Sequence, residues 1–302
     1  MKSSVNRRTF LQALATTAAS ASLLSVPSQA KAPASKYKLG LQLFTIRDAM
    51  SRDLKATLKQ VRTLGYEDTE TYGFDPQQIT YYGMKAAEFK KLMDDNQLIT
   101  TSGHYNFSEL LHGSDDEMKK YVDQCILGAK AIGHKYITWP WLQPEYRSMD
   151  SFRVLVKKLN MIGEQVSKAG LGFAYHNHDF EFTDYNGENG YDLIMRETDP
   201  KTVKLQIDLY WVMHSSKQSP AELFRKQPGR FVMWHIKDMH KVSRDYTELG
   251  NGSIDYTAIL PHASLAGLQY YYLEQGGNFA TNSMQSIADS AAFFKTNLQK
   301  YL

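Results

Sequence analysis

The chain has 302 residues, of which 42% are hydrophobic and 22% are charged, a composition that fits one large globular domain with a substantial core. Its single cysteine, Cys125, excludes a framework of internal disulfides. The formal net charge of +3 arises in the first thirty residues, because residues 31–302 contain 32 basic and 32 acidic side chains; this balance gives no general attraction to nucleic-acid phosphates.

Residues 1–30 have the pattern of a secretory leader. A basic region ends in Arg7-Arg8, a small and apolar run follows from 13 to 24, and Ser28-Gln29-Ala30 offers small residues at both positions that a signal peptidase reads. The apolar run is too short and too rich in Ala, Ser and Thr for a stable membrane anchor. The arginine pair with the Thr-Phe-Leu that follows it resembles a twin-arginine signal. We therefore expect an exported, periplasmic protein whose folded domain comprises residues 31–302.

Eight short β-like runs follow the leader and alternate with amphipathic segments. In chain order the runs are 38–45, 66–71, 98–105, 136–139, 172–178, 203–208, 231–237 and 270–274. The helical patterns between them are 54–64, 86–94, 117–132, 152–169, 221–227 and 287–298. Their apolar residues recur three and four positions apart, as in Val122, Ile126 and Ala129.

The repeated order of helix, glycine and strand predicts βα units. Gly65, Gly133 and Gly170 each follow a predicted helix, where a left-handed C-terminal cap is expected. No Gly-x-Gly-x-x-Gly follows the first strand, so the doubly wound dinucleotide-binding fold lacks its usual signal. Eight units predict an α/β fold, a single-domain (β/α)8 TIM barrel, with long loops at 184–190 and 249–256.

Polar residues end most of the predicted strands. The carboxyl ends of the strands form the active-site face of a TIM barrel, so these side chains are expected to converge on one pocket. They are Glu70, His104, His176, His178, Asp208, His235, Lys237 and Glu274. Each acid could instead cap the next helix and each histidine could be an ordinary hydrogen-bonded residue, but capping does not account for the set as a whole.

The residue types predict a metal centre without thiolate ligands. Imidazoles and carboxylates suit one divalent ion of Mn, Zn, Co or Fe, or of Mg if carboxylates dominate. His176 and His178 are two apart on a predicted strand and therefore face the same side. One of them would bind the metal while the other hydrogen-bonds substrate or acts as a base; the sequence leaves open which.

Several runs resemble the xylose-isomerase-like superfamily of sugar isomerases and epimerases, in order from about residue 37 to 298. The runs start at Gly40 (GLQLFTIR), Phe173 (FAYHNHDFEF), Leu205 (LQIDLYWV), Trp234 (WHIKDM), Glu248 (ELGNGSID) and Tyr272 (YLE). The resemblance implies a TIM barrel with one divalent metal held at the ends of strands five to eight. The positions that match those ligands are His176, Asp208, His235 and Glu274.

The sequence departs from the family pattern at His176. Ketose epimerases of this superfamily typically have a glutamate there, and that glutamate and the one on strand eight exchange protons on opposite faces of the sugar carbon. With one carboxylate lost, His178 or Lys237 would supply the second base beside Glu274. The run containing Lys237 is also similar to one in inosose dehydratases of the same superfamily, which eliminate water next to a ketone.

The resemblance thus implies a metal-dependent isomerase or epimerase of a free or modified sugar. The alternative is a metal-dependent lyase, dehydratase or hydratase acting on a keto-sugar, an inosose or a 3-keto-glycoside. A non-catalytic sugar-binding barrel is a third hypothesis. An apurinic-site endonuclease of the same superfamily would have to grip DNA, which the neutral charge disfavours. The expected partner is a small sugar, and the resemblance also implies a homo-oligomer.

The remaining candidate substrate contacts lie around the same end of the barrel. Glu70 and His104 end strands two and three, and Arg47 follows strand one, where it would hold a substrate oxygen or pair with an acid of a neighbouring loop. Trp139 and Trp211 stand at strand ends four and six, where aromatic rings stack on sugars, although ordinary packing explains such residues equally well.

Overall fold

The eight β-like runs of the sequence form a closed barrel of parallel strands in the computed structural model, which describes residues 36–302. The predicted leader, 1–30, lies outside the described residues. The strands are β1 (Gly40–Gln42), β2 (Asp68–Thr71), β3 (Ile99–His104), β4 (Tyr136–Trp139), β5 (Gly172–His176), β6 (Val203–Asp208), β7 (Met233–Ile236) and β8 (Tyr270–Leu273). Neighbours in the chain are neighbours in the barrel, and β1 pairs with both β2 and β8, which closes it. The predicted single-domain TIM barrel is confirmed.

Helices surround the barrel and follow its strands. They are α1 (Arg47–Arg52), α2 (Leu54–Thr63), α3 (Ala86–Asp95), α4 (Asp115–Ile132), α5 (Met149–Lys168), α6 (Gly190–Glu197), α7 (Leu209–Ser215), α8 (Pro220–Lys226), α9 (Tyr256–Ile259), α10 (Ala263–Ala266) and α11 (Ser283–Phe293). Single 3₁₀ turns lie at Leu43–Ile46, Ser108–Leu110, Pro144–Tyr146, Phe180–Phe182, Leu260–His262 and Gln299–Tyr301, and a π turn at Phe294–Leu298 extends α11. Within 36–302, no helix has the length and apolar character needed to cross a bilayer.

Side chains alternate between the barrel interior and the helix layer. Residues two apart on a strand share a face. The side chains of Tyr136, Ala174, Met233 and Tyr272, one from each of four strands, point inward and form a small cluster. The large outer core packs the other strand faces against the helices. Both faces of a parallel barrel are buried, and strands such as β5 (GFAYH) and β7 (MWHI) are mostly apolar, whereas β2 (DTET) consists of polar residues.

The helix ends follow local chemistry. Ser114 and Glu117 form a reciprocal capping box at the start of α4, and Gly133 ends that helix with φ +87°. Only a residue without a Cβ adopts this left-handed conformation at little cost, so the predicted glycine cap is confirmed there.

Short additional sheets interrupt the repeat after β2 and β7. A three-stranded antiparallel sheet is formed by Phe74–Asp75, Thr80–Tyr81 and Met84–Lys85, and a two-stranded one by Asp238–Met239 and Tyr246–Thr247. The sequence predicted neither of them, nor helices α1, α6, α7, α9 and α10. The strands of both additional sheets are two residues long, which is too short to display a periodicity.

Candidate active site and metal centre

Residues from four adjacent strands meet at the carboxyl end of the barrel. His176 and Asp208 are the last residues of β5 and β6, His235 lies near the end of β7, and Glu274 directly follows β8. His176 Nε2 lies 3.7 Å from Asp208 Oδ2, and His235 Nδ1 lies 2.6 Å from Glu274 Oε2. The resemblance implied these four residues as metal ligands, and the barrel brings them together.

Two overlapping groups have their donor atoms close enough to hold an ion. One contains Asp208, His235 and Glu274, the other His104, His176 and His235, and within each group the donor atoms lie within 4.8 Å of one another. Imidazole and carboxylate donors suit a divalent first-row metal. In addition, His176 Nδ1 is buried and has no hydrogen-bond partner within residues 36–302, although buried polar atoms are normally paired. The residues therefore fit the metal that the resemblance implied.

Lys237 places an ammonium group among these donors. Its Nζ lies 2.7 Å from Asp208 Oδ2 and 2.8 Å from Glu274 Oε2, and only 4% of the residue is exposed. Burial alone would lower the pKa of Lys237, but the two carboxylates raise it above its ordinary value. The side chain is therefore a cation.

His235 is held between two carboxylates. Its Nε2 lies 2.5 Å from Glu70 Oε2, on the opposite side of the ring from Glu274. Burial opposes protonation of the ring, but Glu70 and Glu274 outweigh it and raise the pKa of His235 to about 9. Burial likewise favours neutral Glu274, yet Lys237 and His235 together lower the pKa of that carboxyl below its ordinary value. Glu274 is thus ionised at neutral pH.

Glu70 is a fully buried anchor for the surrounding side chains. Gln42 Nε2 donates to its Oε2 over 2.7 Å, and Gln206 Nε2 donates to its Oε1 over 2.6 Å. His104 Nε2 lies 3.1 Å from Oε2, in addition to the contact with His235. Both oxygens are occupied by protein groups. The structure therefore places Glu70 behind the pocket as a support for His235, in contrast to the predicted contact with substrate.

His104 reaches the centre from β3. Its side chain is 13% exposed, and its ring centroid lies 5.1 Å from that of His176 and 5.4 Å from that of His235. His104 Nε2 also lies 2.9 Å from Gln206 Oε1. The histidine predicted to bind substrate thus belongs to an imidazole group that is a potential metal ligand set.

His178 lies just beyond the strand on which the sequence placed it. β5 ends at His176, and the backbone N–H of His178 donates to Glu181 Oε2 over 2.8 Å. The ring of His178 is 4.9 Å from that of His176, and its Nδ1 is buried without a partner among the described residues. Of the two histidines, His176 is the one found in a potential ligand group.

Among the tryptophans near the strand ends, Trp139 belongs to the core, and Trp141 and Trp211 lie beside His178. Trp139 is fully buried and stacks on Phe107, and its indole N–H donates to Trp141 O over 2.7 Å. Trp141 is 37% exposed and lies 5.0 Å from the ring of His178, while Trp211 lies 5.8 Å from that ring. The burial of Trp139 argues against the predicted contact with substrate, whereas Trp211, like Trp141, lies beside His178.

Arg47 links two loops at the rim. It donates to Phe44 O over 2.8 Å and to Gly276 O over 3.1 Å, and its guanidinium lies 4.2 Å from the centre of the Phe44 ring. No acid partner, one of the two roles considered from the sequence, is among these interactions, and the contact with a substrate oxygen stays a prediction. Arg47 connects the loops that follow β1 and β8.

The glycine-containing loop after β7 is filled by a carboxylate of the chain itself. Asp238 Oδ2 accepts from the backbone N–H groups of Gly250 and Gly252 over 2.9 and 3.1 Å, and Oδ1 accepts from Ile254 over 3.2 Å. Loops at this position of TIM barrels often bind phosphate through such amides. Here the amides are already occupied.

Sequence reasoning missed the two glutamines and Asp238. Gln206 stands two positions before Asp208 on β6 and therefore shares its face, a signal that was available in the sequence. Gln42 could also have been noticed, because it is the polar last residue of β1. Nothing in the sequence indicated that Asp238 folds back onto the loop at 250–254.

Comparison with known proteins supports this description. The family described as "Xylose isomerase-like TIM barrel" matches residues 58–296. Inosose dehydratase of Geobacillus thermodenitrificans is 24% identical over 141 residues, which are 41% of this chain and 46% of that protein. The chain thus matches less than half of the length of this relative.

Solved structures cover more of the chain. A sugar phosphate isomerase/epimerase from Parabacteroides distasonis is 25% identical, with a TM-score of 0.73 over 89% of this chain and 97% of that one. A xylose isomerase-like TIM barrel protein from Mycobacterium smegmatis in complex with magnesium shares the fold at 16% identity, with a TM-score of 0.66 over 88% and 98% of the two chains. The protein belongs to the xylose isomerase-like TIM-barrel family.

Proposed function

We propose that this protein is a divalent-metal-dependent sugar isomerase or epimerase that abstracts a proton from the carbon beside a carbonyl group. The observation that carries the proposal is the convergence of His176, Asp208, His235 and Glu274, with Lys237 among them, at the carboxyl end of the barrel. Enzymes of TIM-barrel fold have their active sites at this end. The enzymatic family and the isomerase/epimerase neighbour support the same reaction class.

Asp208, His235, Glu274 and His176 would hold the metal. When bound, an ion of Mn, Zn, Co, Fe or Mg acts as a Lewis acid that polarises the sugar carbonyl and stabilises the charge that develops on its oxygen. Magnesium in a neighbour of the same fold is consistent with such an ion, and the donor set equally suits the softer metals.

The proton transfer is assigned to groups of this chain. Glu274 is ionised and its side chain is 9% exposed, whereas those of Glu70 and Asp208 are fully buried, so Glu274 would act as the base. The ammonium group of Lys237, which lies 2.8 Å from Glu274 Oε2, would return a proton. Burial and the nearby Lys237 lower the pKa of His178, whose Nδ1 is buried without a partner in the described structure, so its neutral ring would be a second base.

The substrate is a free or modified sugar in this proposal, and its ring packs against Trp141 and Trp211. The loop amides that would bind a phosphate group are occupied by Asp238. This argues against a phosphorylated substrate. An exported protein would also meet glycosides more often than phosphorylated intermediates.

Elimination is the second candidate reaction, and His176 is the observation that favours it. The two-carboxylate epimerase mechanism needs an acid at this position, and Glu70 cannot replace it because both of its oxygens are engaged. Proton abstraction by Glu274 followed by departure of a β-hydroxyl, protonated by Lys237, requires only one carboxylate. The similarity to an inosose dehydratase over part of the chain supports a keto-sugar, inosose or 3-keto-glycoside as substrate of such a lyase.

One experiment distinguishes the two reactions. The metal-loaded protein is incubated in D₂O with a panel of ketoses, inososes and 3-keto-glycosides, and products are analysed by mass spectrometry and NMR. Deuterium in an isomer of unchanged composition supports isomerisation or epimerisation, whereas loss of water or of an aglycone supports elimination. Glu274→Gln should abolish either reaction. Sugar binding without any exchange, and unchanged by Glu274→Gln, would instead indicate the non-catalytic barrel.

A further inference from the structure

Lys237 occupies the position between two of the proposed metal ligands. Its ammonium nitrogen is 2.7 Å from Asp208 Oδ2 and 2.8 Å from Glu274 Oε2. These are hydrogen-bonding distances to an ionised acceptor. The same two carboxylates, with His235, form one of the groups whose donor atoms are close enough to hold an ion. The chain therefore supplies its own cation to the carboxylates of the metal centre.

We propose that Lys237 is a built-in competitor of the metal, which holds Asp208 and Glu274 together in the metal-free protein and is displaced toward the substrate when the metal binds. The inference rests on the proposed metal-dependent function. A divalent ion and an ammonium group that share two carboxylate oxygens repel each other strongly in a buried site. The two cations therefore cannot keep these contacts at the same time, and the ammonium group, which is carried on a flexible side chain, must leave.

The backbone at Lys237 is fixed, so the displacement is confined to the side chain. The backbone N–H of Lys237 donates to the hydroxyl of Tyr256 over 3.1 Å, and that hydroxyl in turn donates to Lys237 O. Tyr256 is 3% exposed, and Asp238, the next residue, is held by the loop amides. A lysine side chain has four rotatable bonds, which suffice to move the ammonium without a change in the loop.

The arrangement gives Lys237 a different role in each state. Without metal, it neutralises two buried carboxylates that would otherwise repel each other, which keeps the ligands in place. With metal, it becomes a free donor beside the reacting carbon. The residue thus links metal loading to the appearance of a proton donor in the pocket.

The test measures metal binding and lysine reactivity in the absence of substrate. Metal-free protein is titrated with Mn²⁺ by calorimetry for the wild type, for Lys237→Met and for the control Lys158→Met. Lys158 is also a buried lysine, 6% exposed, and its Nζ lies 2.7 Å from Asp115 Oδ1, away from the centre. We expect Lys237→Met to bind Mn²⁺ at least about tenfold more tightly than the wild type, because no buried ion pair has to be broken, and Lys158→Met to match the wild type.

Reductive methylation of the wild type provides the second measurement and does not depend on the variant folding. The rate at Lys237, read from its peptide by mass spectrometry, should rise severalfold on addition of Mn²⁺. Equal or weaker binding by Lys237→Met, or a methylation rate unaffected by Mn²⁺, would overturn the competition while leaving a metal-dependent enzyme in place. Absence of Mn²⁺ binding to every form, with Zn²⁺ and Mg²⁺ giving the same result, would overturn the proposed metal dependence itself.

Discussion

The carboxylates of the active site have different environments and therefore different tasks. Glu70 is surrounded by donors on all sides and orients its neighbours. Asp208 divides its oxygens: Oδ1 caps α7 by accepting from the N–H groups of Tyr210 and Trp211, and Oδ2 faces Lys237. The sequence left open that this acid merely caps a helix. Capping is one of its two roles. Glu274, whose side chain is 9% exposed, is the base of the proposed reaction.

Glu70→Gln should weaken metal binding although Glu70 is not a proposed ligand. The carboxylate holds Nε2 of His235 and so directs Nδ1 toward Glu274. An amide at this position turns one acceptor into a donor that faces Gln42 or Gln206. Loss of such a support to a ligand histidine typically costs about 10- to 100-fold in metal affinity, which calorimetry with Mn²⁺ would detect.

Glu248→Gln is the matched control for this prediction. Glu248 is also buried, at 4% exposure, but its Oε1 accepts from the backbone of Ala280 rather than from a ligand of the centre. It should retain the wild-type affinity. If Glu70→Gln bound metal as tightly as the control, Glu70 would not orient His235.

Glu181 should make the stability of the barrel depend on pH. It is fully buried beside Tyr175 and His178, and burial raises its pKa from 4.5 to about 8. Between these values the folded protein keeps a proton that the unfolded chain has lost, so the free energy of unfolding falls as pH rises from about 4.5 to 8. Above about pH 8 the carboxyl group is ionised in both states, and the loss of stability is complete.

Glu181→Gln removes this titration. The glutamine oxygen can accept from the His178 N–H while its amide donates to the Tyr175 hydroxyl. The difference in unfolding free energy, variant minus wild type, should be more positive at pH 8 than at pH 5 by on the order of 2 kcal/mol. Urea denaturation at both pH values checks this, and parallel pH profiles for the two proteins would show that Glu181 does not titrate in this range.

At the scale of single residues, the sequence indicated which side chains meet but not what each one does. Strand ends determine convergence, and this is why His235 and Glu274 were expected at one site. The role of Glu70 depends on partners from four other strands, β1, β3, β6 and β7, which no local pattern reveals. The position of Trp139 was accessible, since Tyr136 and Thr138 face the barrel interior and alternation directs Trp139 toward the helices.

Among the elements, the loop after β7 is organised by one side chain. Asp238 accepts four backbone N–H groups, from Met239, Gly250, Gly252 and Ile254. A Cβ at Gly252 would lie 2.0 Å from Asp238 Oδ1, so the loop approaches the carboxylate as closely as glycine permits. This loop follows Lys237 directly, and its order therefore affects the pocket.

Asp238→Asn should loosen this loop while leaving the barrel folded. Either orientation of the asparagine points its amide at two backbone donors, which costs about 1–3 kcal/mol for each buried group left unpaired. Hydrogen exchange of the amides at 250–254 should become at least about tenfold faster, since local opening becomes easier by that amount. Asp255→Asn, which alters only the exposed cap of α9, should leave these amides protected, and equal exchange in both variants would contradict the role of Asp238.

Elements with a clear period were predictable, whereas short ones were not. The pattern at 117–132 places apolar residues on one face of α4, and its glycine stop coincides with the observed end. Helix α7 was missed because it starts at Leu209, directly after β6, and its sequence LYWVMHS continues the apolar run of the strand. The predicted run 172–178 extended past the strand for a similar reason, because His178 continues the alternation after the pairing with β6 has ended.

For the whole molecule, a count of units was sufficient to predict the architecture. Eight alternating runs fit either an open doubly wound sheet or a closed barrel. In the closed barrel β1 pairs with β8, so no strand edge stays unpaired. Closure brings residues more than a hundred positions apart, such as Glu70 and Gln206, into hydrogen-bonding contact. The centre therefore forms only when the complete barrel has folded, and a metal held by β5 to β8 would have to be acquired by folded protein.

We propose that the protein is exported by the twin-arginine route. Because the metal site depends on a folded barrel, this route leads to a prediction about export. That route carries proteins already folded, so the metal would be bound before crossing. Replacement of Arg7 and Arg8 by lysine should leave the protein in the cytoplasm with its leader uncleaved, as measured by fractionation and by the mass of the chain. Lys2→Gln, which alters the same basic region but keeps the arginine pair, should be exported like the wild type. Normal export of the double lysine variant would exclude the twin-arginine route and with it the argument that the metal is acquired inside the cell.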